Sequence, residues 1–470
     1  MKLNSLEIKY FRCLKKYNID FAPETTILIG KNGAGKSTLI NAIHKALSFI
    51  FKKDTLVRAD TTLTSGIPSL KVEPFNKKTD LVRNPETGLA YPHISIKSKG
   101  TFFQNELLWE MYASTSTFSI QSSKYSDAFN KFMGIVNEKK VLPVLAFYSD
   151  SFPHVPSNQT KITKELSSLR NFGYYQWNEE SACSSVWIEK YKGVWKRWDR
   201  FDRKIKDIEQ RIQNCEAAIL GKGVVNVEQY NKDIANFKKE LDSELKERSK
   251  LDEEVNAIIE CLKRFTRNDP DMEIKNLFLD IYKEELCIEN TQGNNPYFEK
   301  LPAGYKRLIY IVLDIAYRSY ILNGNTNSSG IVIIDEIDLH LHPSLEQSVL
   351  QRLKETFPNI QFIISTHSAL VISNLDTSKD TNGMQKNKVY TMEINTENPI
   401  LLPNLYGVGY DASLSDFMGT SPRNSTVKYL AEAYLRLEKR NQVEQAGKMK
   451  TELAKLIGEE NVNRIIDSFR

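Results

Sequence analysis

The chain has 470 residues, 41% of them hydrophobic, which is enough for one large domain with insertions or for two to three domains. Its net charge of +5, from 64 basic and 59 acidic residues, permits contact with nucleic acid without arguing for it. The five cysteines (Cys13, Cys183, Cys215, Cys261 and Cys287) have no CxxC spacing, so neither a disulfide framework nor a zinc site is suggested.

No apolar run approaches the ~18 residues of a membrane span, and the first residues lack the apolar stretch of a signal peptide. A cytoplasmic protein with no membrane partner is expected. In chain order, Leu6, Ile8 and Tyr10 alternate with polar residues as a half-buried strand does. Thr25–Ile29 is a β-branched strand ending in glycine, and Leu39, Ile40, Ile43, Ala46 and Leu47 put one apolar face on a helix starting at Lys36. Residues 50–95 read as loops and short strands. His93–Lys97, Thr101–Phe103 and Thr117–Gln121 are candidate strands of a meander, and Val141–Tyr148 reads as buried strand.

Residues 200–262 change character. Phe201, Ile205, Ile208, Ile212, Cys215 and Ile219 follow a heptad stripe, Gly221-Lys222-Gly223 breaks it, and a second stripe runs from Tyr230 to Leu262. An antiparallel helical hairpin is expected, with arms of about 30–50 Å at 1.5 Å per residue, either packed on the body or protruding as a coiled-coil arm. Helix 308–321, strand Gly330–Ile334, helix 344–356 and strand Gln361–Ser365 then alternate as in a parallel α/β sheet. Beyond Pro403 the chain is polar and helical. Val427, Leu430, Ala431, Tyr434 and Leu435 form one apolar face there, and Met449, Leu453, Leu456 and Ile457 another. These faces either pack on the body or dock a partner.

Two motifs carry chemistry. Gly30-Lys31-Asn32-Gly33-Ala34-Gly35-Lys36-Ser37, followed by Thr38, fits G-x-x-x-x-G-K-[ST] between a strand and a helix. Its glycines let backbone N–H groups wrap phosphate oxygens, and the helix N-terminus adds positive potential. Lys36 is expected to reach the β- and γ-phosphates of ATP and Ser37 to ligate Mg²⁺. The aliphatic run Ile331–Ile334 delivers Asp335 and Glu336 to the C-terminal end of a central strand, where α/β ligands bind. Asp335 is expected to hold Mg²⁺ and Glu336 to act as general base toward water. His367, at the end of another strand, is placed to hydrogen-bond the γ-phosphate. Asp335, Asp338, His340 and His342 are read as a turn facing a second subunit rather than as a transition-metal site.

In this order the motifs resemble the ABC-type ATPases of the SMC and OLD group, over roughly residues 1–375. Tyr10-Phe11-Arg12 and Ile333-Ile334-Asp335-Glu336-Ile337-Asp338-Leu339-His340-Leu341-His342-Pro343 carry the likeness. It implies an α/β ABC-ATPase head with an antiparallel β-lobe, a helical-hairpin insertion and a helical tail. The expected divisions are 1–150 (P-loop and β-lobe), 151–295 (helical insertion), 296–400 (signature, Walker B, D-loop, H-switch) and 401–470 (tail). Arg12 joins the expected ATP contacts, and Gln104 is the expected Q-loop metal ligand. The signature Leu301-Pro302-Ala303-Gly304-Tyr305-Lys306-Arg307 is expected to act in trans through Ala303, Gly304 and Lys306. Pro302 stands where the family has serine, and Tyr305 where it has glutamate, which implies weak closure or slow hydrolysis. The logic requires a head-to-tail homodimer.

The tail after His367 has no Asp-x-Asp pair of an OLD-type nuclease, and the coiled coil is too short for SMC. Length, Tyr305 and the segment Leu405–Tyr410 resemble the ATPase subunit of Septu-type or retron-associated anti-phage defence systems. That resemblance implies a partner HNH endonuclease, higher assembly of dimers, and DNA or a reverse-transcribed nucleic acid as a further partner. The alternatives are a DNA-repair or chromosome-maintenance ATPase acting directly on DNA, and a nucleotide sensor that scarcely hydrolyses ATP.

Overall fold

The structure, a computed structural model, describes residues 1–52, 71–84, 86–149, 170–177, 184–220, 226–393, 396–410, 413 and 424–469. β1 (Lys2–Phe11) turns through Arg12 and Cys13 into β2 (Leu14–Asp20), an antiparallel partner that the alternation of Leu6, Ile8 and Tyr10 did not announce. β3 (Thr25–Gly30) runs into α1 (Lys36–Leu47), as the strand–glycine–helix pattern predicts. β4 (His93–Phe102) and β5 (Asn105–Ser114) complete a four-stranded antiparallel sheet in the order β2-β1-β4-β5.

Two strand expectations fail here. Thr101–Phe103 is no separate strand, because β4 continues to Phe102 and then turns. Phe103 and Gln104, at φ 46° and 64°, are the two-residue turn of the hairpin. Thr117–Gln121 contributes one isolated bridge, Ala113 to Ile120, because Phe118 at φ 56° interrupts extended backbone.

Next come α2 (Ser126–Lys139), β6 (Val144–Tyr148), α3 (Ser184–Leu220) and α4 (Val227–Phe265). The last two are the expected antiparallel hairpin, paired through Arg248–Asp202 at 2.8 Å and Lys204–Glu244 at 2.6 Å. The Gly221–Gly223 turn lies outside the described residues. The hairpin is longer than the heptad stripe implies, about 55 Å for 37 residues of α3 at 1.5 Å each. Its first four turns carry Trp187, Tyr191 and Val194 in place of an aliphatic heptad, and these sit in the main core with Val255, Ile258, Leu262 and Phe265 of α4. Farther out, Ile208, Ile212 and Ile234 form a separate small core. The foot is therefore packed on the body, and among the described residues the outer part has a small core of its own.

The β7 (Ile274–Asp280) and β8 (Glu285–Asn290) hairpin precedes α5 (Ala303–Asn323), β9 (Gly330–Ile334), α6 (Pro343–Thr356), β10 (Ile360–Ser365), α7 (Ala369–Ser373), β11 (Asn387–Met392) and β12 (Ile400–Leu401). The central sheet has the order β12-β11-β3-β10-β9-β6, parallel from β11 to β6. β3, β6, β9 and β10 are buried along almost their whole length, as a sheet covered on both faces requires. This is the expected α/β head with its antiparallel lobe. α8 (Ser425–Lys439), α9 (Val443–Ile457) and α10 (Glu459–Asp467) end the chain. Their apolar faces meet one another around Leu430, Ala431, Leu453, Val462 and Ile466, while Leu456 remains exposed. Among the described residues, no helix is long and apolar enough to cross a membrane.

Candidate nucleotide site

Strand order builds the site. β10 lies between β3 and β9, so the loop after β3 and the acidic pair after β9 end up two strand spacings apart, about 9–10 Å. The β3 loop has positive φ at Gly30, Gly33 and Gly35 (148°, 82° and 97°), which only glycine adopts cheaply. Gly35 caps α1, whose first turn has no acidic residue and no side-chain cap. Its N–H groups and positive dipole end are thus left for an anion. Lys36 folds back, donating from Nζ to the Gly30 carbonyl at 2.8 Å. Burial lowers its pKa, against the opposing pull of Asp335, Glu336 and Asp338. An ammonium group resting on loop carbonyls, with unspent N–H donors around it, is the donor set that a polyphosphate matches.

Across β10, the Ser37 hydroxyl is 3.4 Å from Asp335 Oδ2, and Ser365 Oγ donates to Asp335 Oδ1. The Asp335 N–H donates to the Tyr148 carbonyl at the end of β6 at 2.7 Å. Ser37 and Asp335 are one hydroxyl and one carboxylate facing each other, hard oxygen ligands of the kind Mg²⁺ shares with phosphate. Among the described residues no cluster of three or more His, Cys, Asp or Glu could hold a metal by itself. His342 instead caps α6, with Nδ1 2.8 Å from Ser344 Oγ.

Glu336 adopts φ 52°, its N–H donating to Ser365 Oγ at 2.8 Å. Its Oε1 is 3.9 Å from His367 Nε2, and both side chains are about one-third exposed. Asp338 ties the two segments together, accepting from Thr366 Oγ1 and from the His367 N–H at 3.2 Å.

The other expected residues are placed less simply. Arg12 lies beside the loop, and its neighbour Cys13 donates through Sγ to Thr38 Oγ1 at 3.4 Å. Arg12 Nε is engaged by the buried Asp80 at 2.9 Å. Burial raises the Asp80 carboxyl, but the Asn76 N–H, Arg12 and Lys45 outweigh it, for a net pKa below the usual value. Gln104 is not brought to the site. It tops the β4–β5 turn beside Lys2, whereas the site adjoins the other end of β1, about 30 Å along the strand.

Pro302 and Ala303 are exposed at the start of α5, which has no side-chain cap. Gly304 is buried, and Lys306 Nζ is held by the Glu299 carbonyl and carboxylate, both at 3.1 Å. No hydrogen bond or ion pair among the described residues joins 301–306 to 30–37 of the same chain.

The signature reading includes the residue that binds this segment to the acidic pair but assigns it no role. Arg307, fully buried, donates from Nη1 to the carbonyls of Glu336 (2.7 Å), Ile337 (3.2 Å) and Leu339 (3.3 Å), and from Nη2 to that of Asp335 (3.1 Å). A basic residue inside an apolar helical run was the available signal. A Cβ on Gly304 would lie 2.6 Å from the His340 carbonyl oxygen. Gly304→Ala is therefore expected to cost about 1–3 kcal/mol, read as a lower urea midpoint.

The family model of the AAA ATPase domain matches residues 1–372. The retron Vc95 probable ATPase of Vibrio cholerae serotype O1 biovar El Tor is 28% identical over 401 residues, covering 76% of this chain and 68% of that protein. The Septu protein PtuA of Bacillus mycoides (strain KBAB4) is 39% identical over 114 residues, 23% of this chain and 16% of that protein. Among solved structures, the Smc head domain with an extended coiled coil from Pyrococcus furiosus aligns over 86% of this chain and 96% of its own, at 14% identity and a TM-score of 0.42.

Proposed function

The chain belongs to the AAA ATPase domain family, and from that premise we propose that it binds and hydrolyses ATP as the regulatory subunit of an anti-phage defence complex, controlling a partner HNH endonuclease. The observation that carries the ATPase reading is the convergence of Lys36, Ser37, Asp335, Glu336 and His367 at the ends of three adjacent parallel strands. The defence role rests on the retron and Septu relatives.

Lys36 leaves the Gly30 carbonyl for the β- and γ-phosphates. Ser37 and Asp335 would hold Mg²⁺, which would neutralise phosphate charge. Glu336 takes the proton of the attacking water, and His367 steadies the γ-phosphate from the next strand. The trans segment works through backbone. With Pro302 as N-cap and no side-chain cap, the first-turn N–H groups of α5 supply the donors that a serine hydroxyl supplies elsewhere. Two chains therefore pair head to tail, each closing the other's site.

Lys36→Ala is expected to weaken ATP binding at least tenfold, the loss of a charge-assisted contact of about 1.5–3 kcal/mol, as read by fluorescent-nucleotide titration. Light scattering of the Glu336→Gln chain is expected to show dimers with Mg-ATP and monomers without. The gene beside this chain's is expected to encode an HNH endonuclease, and coexpression with it is expected to yield a complex. A chain that neither binds ATP nor pairs ends the ATPase reading, and a chain that turns over ATP but captures no nuclease ends the defence role.

A further inference from the structure

The tyrosine at the trans segment has a partner no motif predicts. Tyr305 donates its hydroxyl to Asp269 Oδ1 at 2.8 Å. Asp269 is 4% exposed, and its Oδ1 also accepts the N–H groups of Asp271 and Met272, both at 2.9 Å. Its Oδ2 accepts from Arg352 Nη1 of α6. Burial raises this carboxyl, but Arg352, Tyr305 and the Asp271 N–H together outweigh it, so the net shift is downward and the group stays ionised at neutral pH. Asp269 is thus held in place by its own turn and by α6, and Tyr305 docks onto a preformed acceptor. The turn begins just after Phe265, where the second helix of the hairpin ends. The glutamate that the family pattern puts at this position would set a second carboxylate against Asp269; a tyrosine hydroxyl donates instead.

The first turn of α5 is pinned on three sides: by Tyr305 to Asp269, by Gly304 against the His340 carbonyl, and by Arg307 to the loop 335–339. Only the edge Pro302–Ala303 remains exposed. We propose that Tyr305 is a positioning residue for the nucleotide site of a second copy of this chain: its hydroxyl, anchored on Asp269, fixes the turn that presents Pro302–Gly304 to phosphate bound on the other subunit. This rests on the composite site proposed above. Tyr305 acts through the turn and touches no nucleotide.

Tyr305→Phe removes one donor of three from Oδ1 and leaves Asp269 partnered, so the fold survives and the melting temperature moves little. It is expected to lower kcat about three- to tenfold, the value of one hydrogen bond of about 0.7–1.4 kcal/mol, while nucleotide affinity of the isolated chain is unchanged. The decisive measurement mixes chains. Tyr305→Phe keeps an intact P-loop and Lys36→Ala keeps an intact Tyr305, so a mixed dimer contains one wholly native composite site. Turnover of the mixture is expected to exceed the mean of the two variants alone. An unchanged kcat for Tyr305→Phe overturns the proposal, and so does a loss that Lys36→Ala does not rescue, since the defect then lies within one chain. Ala303→Trp, which blocks the exposed edge, is the control mixed with Lys36→Ala. If that mixture recovers and the Tyr305→Phe mixture does not, the positioning role alone fails; if neither recovers, the composite site fails with it.

Discussion

Replacing Glu336 with glutamine is expected to cut ATP turnover about 10²- to 10⁴-fold, the usual contribution of a general base, while ATP binding is retained. The backbone of Glu336 is held without help from its carboxylate: its N–H by Ser365 Oγ at 2.8 Å, its carbonyl by Arg307 at 2.7 Å. Glutamine has the same shape and leaves this φ 52° turn undisturbed. What it loses is the capacity to take a proton. The carboxylate is about one-third exposed and 3.9 Å from His367 Nε2, so it is open to water. Phosphate release at saturating Mg-ATP measures the effect, and nucleotide titration checks that binding persists. A natural chain that turns over no faster than Glu336→Gln would be a nucleotide sensor, with binding as its whole switch.

Asp314→Ala is expected to cost about 3–5 kcal/mol of folding stability, the range for removing one partner of a buried ion pair. Asp314 and Arg318 are about 1% exposed, with Arg318 Nε donating to Asp314 Oδ2 at 2.6 Å. The Tyr148 hydroxyl donates to the same oxygen at 2.5 Å, and Trp187 Nε1 to the other. Alanine leaves a guanidinium, a hydroxyl and an indole N–H facing a cavity. Urea denaturation with an unchanged slope is the measurement. Tyr148→Phe, which removes a single donor, is expected to lose only about 1 kcal/mol. The network joins the foot of the hairpin, α5 and the end of β6, whose Tyr148 carbonyl accepts the Asp335 N–H at 2.7 Å. Turnover is therefore expected to fall along with stability.

Some of this molecule is legible from local pattern. β3, α1, β9 and β10 have boundaries within a residue or so of those that alternation, glycine and β-branching imply, because each is set by neighbours in sequence. The hairpin is legible for the same reason where its stripe is aliphatic, and illegible over its aromatic foot, where Trp187 and Tyr191 answer to the body and not to the partner helix. β2 and β11 are illegible because both carry lysine and asparagine and are stabilised by pairing, β2 with β1 across a tight turn and β11 with β3 from the far end of the chain. Gln104 fails as a site residue because a two-residue turn put it at the far end of β1.

By itself the sequence determined the chemistry on offer: glycines that can take positive φ, a lysine and serine at a helix start, and two acids at the end of an aliphatic strand. Those are properties of short segments, and local physics suffices to read them. Only the tertiary structure decided which of these groups meet. The order β3-β10-β9 brought Ser37 to 3.4 Å from Asp335 across almost 300 residues. Burial gave Arg307 four carbonyls and gave Tyr305 the carboxylate of Asp269. A buried polar group must find a partner wherever the fold supplies one, and the location of that partner is a fact of packing, which no spacing of letters contains.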